Sequence, residues 1–115
     1  MKGNDIYNRA MSLLGYSGGA GDPAAEEIFA ERGLEIINQL LLDLGLDEIA
    51  GLSDEINKAP YVIDALINGT AMLISLSEAD SGKNSVFTQL YAAKRAKALG
   101  NVVLTEDKLP SADLG

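Results

Sequence analysis

The chain contains no cysteine, no histidine and no tryptophan. Without cysteine there is no disulfide framework, no zinc–thiolate site and no cysteine nucleophile. Without histidine the commonest general base and metal ligand is gone. Serine-hydrolase triads and histidine-based metal sites are closed, and carboxylate chemistry is what remains. Basic residues are scarce as well. Nine Lys+Arg stand against 17 Asp+Glu, for a formal net charge of −8. Such a surface has no broad attraction for nucleic acid or anionic lipid and repels phosphate from most of its area. Long hydrophobic runs are lacking too. The densest one, residues 61–76, is interrupted by Asp64, Asn68, Gly69 and Ser75, and reads as too short and too polar to span a bilayer. The start, Met1-Lys2-Gly3-Asn4-Asp5, has no apolar run behind it of the secretory kind. The expectation is a soluble, intracellular chain with no membrane partner, in keeping with a reducing compartment.

What is present is a globular composition, 47% hydrophobic over 115 residues, which suits one domain with one modest core. Four segments carry helical periodicity, so the expected fold is all-α, a small bundle of four main helices with an extended C-terminal tail. In the first, residues 5–14, Ile6, Ala10, Leu13 and Leu14 share a face. Asn4 or Asp5 can cap its start, and Gly15 is placed to stop it. A glycine-rich stretch follows, Tyr16-Ser17-Gly18-Gly19-Ala20-Gly21-Asp22-Pro23. It lacks the Lys-Ser/Thr that a phosphate loop requires, and Asp22 would repel phosphate, so it reads as a connector. Asp22 as N-cap and Pro23 as first helical residue open the second helix. Its apolar stripe includes Phe29, Ile36, Ile37, Leu40, Leu41 and Leu44, and Gly45 ends it. Residues 46–59 form an acidic connector whose Leu46, Ile49, Leu52 and Ile56 predict packing onto the domain.

The third helix starts near Pro60. Val62, Leu66, Gly69, Leu73 and Leu76 form its stripe, widened by Ala65, Met72 and Ala79, which predicts the central helix of the core. Gly69 costs up to about 1 kcal/mol inside a helix, and a close helix crossing is the expected return. Residues 80–85 read as a turn. The fourth helix spans about residues 85–99, with Val86, Phe87, Leu90, Tyr91 and Ala98 on one face and Gly100 as its stop. The division is then a helical domain over 1–100 and an extended, conditionally ordered tail over 101–115. The Val102-Val103-Leu104 patch of that tail is suited to strand addition on a neighbour.

Charge is segregated along the chain. Residues 22–64 carry eleven acids and two bases, whereas residues 83–104 carry four bases and no acid. A nucleic-acid patch is a lesser reading, opposed by the total charge and by the lack of interleaved aromatics except Tyr91, and two readings lead. Basic helix four lies against acidic helix two within one chain, or the basic end of one subunit meets the acidic face of the next, a heterologous contact that closes a ring or extends a filament. Glu27, Glu31 and Glu35, spaced by four, fall beside the apolar stripe and read as a solvated face rather than a metal site. Asp64, on the most apolar helix, reads as a helix-start carboxylate. Tyr16 is a candidate interface anchor. No catalytic, metal or cofactor set emerges, and an enzyme is not expected.

The third and fourth segments carry a longer pattern. Ala65, Leu66, Gly69, Ala71, Leu73, Leu76, Asp80, Phe87, Tyr91, Lys94 and Arg95 stand in the order Ala-Leu-x2-Gly-x-Ala-x-Leu-x2-Leu-x3-Asp-x6-Phe-x3-Tyr-x2-Lys-Arg. This resembles the C-terminal half of the head–tail connector proteins of tailed phages and prophages, also called head-completion or adaptor proteins. Arg9-Ala10-x2-Leu13-Leu14-Gly15 is loosely similar too.

The resemblance implies a small helical bundle that assembles as a ring of about a dozen copies beneath the portal. Such a ring extends the DNA channel and docks the tail. Its partners are further copies of itself, the portal protein and a tail or stopper protein. DNA passes through the lumen without being specifically bound. The implied location is the head–tail interface of the virion, with the host cytoplasm before assembly. Charge alone assigns the ring contacts to Glu27, Glu31 and Glu35 on one side and Lys94, Arg95 and Lys97 on the other. Tyr16, Val102, Val103 and Leu104 are candidate partner contacts. The alternative is a small acidic helical binding module or regulator acting as monomer or dimer.

Overall fold

A computed structural model describes the backbone of residues 1–15 and 23–106, and side chains over 1–15 and 31–100. Four helices appear in chain order: α1 (Gly3–Leu13), α2 (Pro23–Asp43), α3 (Pro60–Ser77) and α4 (Ser81–Glu106). Among the described residues there is no strand, and a single antiparallel bridge joins Lys2 to Glu55. The architecture is the expected all-α bundle.

Three of the four helices end in the same way. The residue after the C-cap adopts a left-handed conformation, at Gly15 (φ +90°), Gly45 (φ +76°) and Ala79 (φ +58°). At Gly45 the N–H of Leu46 reaches back to the Leu41 carbonyl (2.8 Å) and that of Gly45 to Leu42 (3.0 Å). At Ala79 the N–H of Asp80 reaches Ser75 (3.0 Å) and that of Ala79 reaches Leu76 (3.1 Å). These paired bonds satisfy carbonyls that a helix end otherwise leaves open.

The start of α1 differs from the expectation. The helix begins at Gly3, with Lys2 as N-cap and without a side-chain capping bond from Asn4. Asp5 takes part from inside the first turn, its carboxylate accepting the Lys2 N–H at 3.2 Å. The free N–H groups of Gly3 and Asn4 donate to the carbonyls of Asp54 (3.3 Å) and Leu52 (2.8 Å) in the connector. The connector therefore caps the helix. Gly3 is the residue that allows it, because a Cβ there would stand 3.1 Å from Ile49 Cδ1 and 3.2 Å from the Leu52 backbone.

That connector packs as expected. Ile56 is buried, and Leu46, Ile49 and Leu52 lie against the core. Asn38 of α2 holds it by both ends of its amide. Nδ2 donates to the Ile49 carbonyl (3.0 Å), and Oδ1 accepts the Ile49 N–H (2.8 Å).

Helix α3 is central. It packs against α4 most extensively and also against α1 and α2. Its middle is buried all round, from Ala65 to Ala71. By length and composition (18 residues, mean hydropathy 1.2) this helix is apolar enough to cross a membrane, and half of it is buried inside the fold. By length and composition, the expectation of a segment too short and too polar to span a bilayer therefore does not hold. Gly69 sits where α2, α3 and α4 converge. A Cβ there would lie 2.7 Å from Leu40 Cδ2 and 2.8 Å from Tyr91 Cε1, so the expected close crossing is present.

Other expectations need correction. Leu13, Leu76, Val86 and Leu90, expected on buried faces, are exposed, by 52%, 62%, 54% and 38%. The stripe of α4 that meets the core is narrower, with Phe87, Tyr91 and Ala98 buried. Val86 and Leu90 flank it and turn outward. Residues 81–85 are the first turn of α4 rather than a loop. Asp80 is the N-cap, with Oδ1 accepting the Lys83 N–H at 3.1 Å. Gly100 does not stop α4, which continues to Glu106. Val102, Val103 and Leu104 therefore lie on helical backbone, and α4 crosses the boundary drawn at residue 100. Residues 107–115 lie outside the described residues.

Candidate interaction surfaces

The basic residues of α4 engage acids of the same chain. Arg95 Nε donates to Asp43 Oδ2 at 2.8 Å, and Arg95 Nη2 to the Asp43 carbonyl at 3.4 Å. Tyr91, one turn earlier on α4, donates its hydroxyl to the same Oδ2 at 2.6 Å. Asp43 is the last residue of α2, where the negative end of the helix dipole disfavours a carboxylate. The two donors offset that. The hydrogen bonds from Tyr91 and Arg95 hold the Asp43 carboxyl below its ordinary range. Burial first, and the bond to Asp43 second, push the Tyr91 phenol upward.

Lys94 reaches the other way. Its Nζ lies 2.6 Å from Asp64 Oδ2, while Asp64 Oδ1 accepts from Asn68 Nδ2 at 3.2 Å. Asp64 is thus a cross-helix partner rather than a helix-start carboxylate. Adjacent residues of α4 tie it to two neighbours, Lys94 to α3 and Arg95 to α2. Both basic residues named from charge alone as ring contacts are therefore ion-paired within their own chain while staying partly exposed, in accord with the intramolecular reading of the segregated charge. Lys97 is exposed and makes a polar or electrostatic contact as well. Of the acids, Glu31 and Glu35 are exposed on α2, as expected for a solvated face. Glu27 lies on α2 backbone, but its side chain is outside the described residues, as is Tyr16.

Among the described residues the helix packing leaves open grooves, two of them between helices. Helices α1 and α4 each pack on α3 and come together at one end, where Lys83 reaches the Leu14 carbonyl, while the rest of their length stays apart. Between them runs an open groove of about 570 Å³ with Ile67, Asn68 and Asp64 of α3 as its floor. Arg9, Ser12 and Leu13 form one wall, and Leu90 and Lys94 the other. A second groove, between α2 and α4, is lined by Leu42, Asp43, Leu73 and Tyr91 among others. Neither groove could be read from the sequence, because the leucines that stay exposed fit helical stripes as well as the buried ones do. Among the described residues no three acidic side chains gather where they could hold a metal ion.

No protein-family model, no curated protein and no solved structure matches this chain.

Proposed function

We propose that the chain is a non-catalytic structural part of a tailed-phage or prophage virion, a head–tail connector that assembles into a ring beneath the portal. One observation carries this reading. Key residues of the sequence pattern come together in one built unit: Gly69 receives Tyr91 at the helix crossing, Phe87 is buried in a cluster with Ala71 and Ile74, and Lys94 and Arg95 fasten α4 on both sides. The pattern thus describes a specific way of joining two helices rather than separate hydrophobic positions. The net charge of −8 supports it further, since a channel that must pass DNA should not hold it. Exposed leucines and a valine on four helices supply apolar surface for neighbours.

The test is native mass by light scattering across protein concentration and salt, with and without a portal ring, followed by imaging. A closed ring, formed alone or on the portal, is the expected result. A strict dimer under all conditions would replace this reading with that of a small acidic binding module. Charge reversals that test assembly belong on Glu31 and Glu35, which face solvent. Reversal of Lys94 or Arg95 would also break their ion pairs to Asp64 and Asp43 within the chain.

A further inference from the structure

We propose that the groove between α1 and α4 receives the outward face of α2 from a second copy of this chain; the proposal rests on the ring reading above and names the surfaces that would build the ring.

The groove has a direction. Lys83 Nζ donates to the Leu14 carbonyl at 2.7 Å, which sets the N-terminal end of α4 beside the C-terminal end of α1. The two helices therefore run antiparallel along the groove walls. Arg9 and Lys94 fall at one end, and Leu13 and Leu90 toward the other. Val86 continues the apolar end one turn further along α4. From Lys94 to Val86 the helix rises about 12 Å. Lys94 shares its charge with Asp64. Arg9 is exposed and has no ion pair among the described residues. The groove is thus cationic at one end and apolar at the other.

The outward face of α2 has the matching polarity. Glu31, Glu35, Gln39 and Leu42 are all exposed, at steps of four, four and three that place them in one stripe. The N-terminal half of the stripe is acidic, and its end is a leucine 58% exposed. Neither glutamate has an ion pair among the described residues. From Glu35 to Leu42 the rise is about 10 Å, close to the length of the groove. Laid parallel to α1, an incoming α2 sets its glutamates against Arg9 and Lys94 and its Leu42 against Leu13, Leu90 and Val86. Charge pairing at one end sets orientation and register, and burial of leucines at the other supplies the favourable area.

The two surfaces are different patches of one molecule. The contact is therefore heterologous, and each docked copy leaves a free groove and a free α2 face for the next, which propagates into a ring or a filament.

The absence of cysteine makes a clean test. In the variant carrying both Leu13→Cys and Leu42→Cys, mild oxidation should give a ladder of covalent multiples on a non-reducing gel. Either single substitution should give none beyond a dimer. Adding Arg9→Glu should cut the ladder at least tenfold, and adding Glu35→Arg to that chain should restore it. Independently, light scattering should show Arg9→Glu and Glu35→Arg each failing to assemble, and an equimolar mixture assembling. No ladder, or one indifferent to Arg9→Glu, would overturn the proposal. If the wild type still assembles in that case, the ring reading stands and only this interface falls. If the wild type forms no ring even on a portal, the ring reading falls with it.

Discussion

The hydroxyl of Tyr91 and the carboxylate of Asp43 meet at 2.6 Å across 48 residues of chain. They join the middle of α4 to the last residue of α2 next to the packing of Tyr91 on Gly69. Removing the hydroxyl in Tyr91→Phe should cost about 1–2 kcal/mol, because it breaks a bond to a charged acceptor. Chemical denaturation of the variant checks it.

The same pair sets pH limits on stability. The folded Asp43 carboxyl titrates below its ordinary 3.8. Its contribution is therefore complete above that value and is shed as the pH falls through the folded pKa. Because the carboxylate is 44% exposed, the acid-side effect is small. Tyr91 titrates above its ordinary 10.0. Its contribution is full below pH 10 and declines as the pH rises further, since the unfolded phenol ionises first. Stability measured from pH 8 to 12 should fall for the wild type above pH 10, and less steeply for Tyr91→Phe.

Gly69→Ala should destabilise by about 1–3 kcal/mol despite the better helix propensity of alanine. The added methyl would meet the Tyr91 ring, which Asp43 keeps from moving aside. The larger loss should appear as a drop in Tm with helicity retained in the folded state. A variant as stable as the wild type would show that the crossing is looser than 2.7–2.8 Å contacts require.

Ala79→Gly should act in the opposite direction. Gly15 and Gly45 occupy left-handed positions at the ends of α1 and α2, whereas α3 ends on an alanine at φ +58°. A non-glycine residue there is strained by about 1–2 kcal/mol. Glycine relieves that but loses more backbone entropy, so a net gain of about 0.5–1 kcal/mol is expected. Urea denaturation with an unchanged m-value would confirm it.

Asn38→Ala should release the connector. Both amide bonds to Ile49 would go, leaving a partly buried N–H and carbonyl without those partners, at a cost of about 1–3 kcal/mol. Because the connector also caps α1, amide exchange should accelerate at Gly3 and Asn4 as well as at Ile49. Faster exchange at Ile49 alone would mean that the cap is held by the chain start independently.

The sequence was readable where a residue has one local meaning. Gly15 and Gly45 stop helices because they sit in a backbone region that side chains avoid. Ala79 makes the same turn without that signal, and Gly100 carries a similar signal inside a continuing helix. Asp80 was hidden as a cap because Ser81 and Gly82 after it have modest helix propensity, which tertiary packing overrides. Leu13, Leu76, Val86 and Leu90 fit helical stripes, yet a stripe says only that residues share a face, not that another helix covers all of it.

What the sequence by itself determined was the class of fold and the chemistry left out of it. Periodicity near 3.6 residues marks four helices, and the missing cysteine and histidine remove their chemistries. Which charges pair, and which surfaces stay open, only the tertiary structure decided. Lys94 and Arg95 are neighbours in sequence but about 100° apart around α4, so one finds Asp64 and the other Asp43. Ion pairing and burial depend on distances of a few ångströms between segments far apart in the chain, and those distances exist only once the helices have packed.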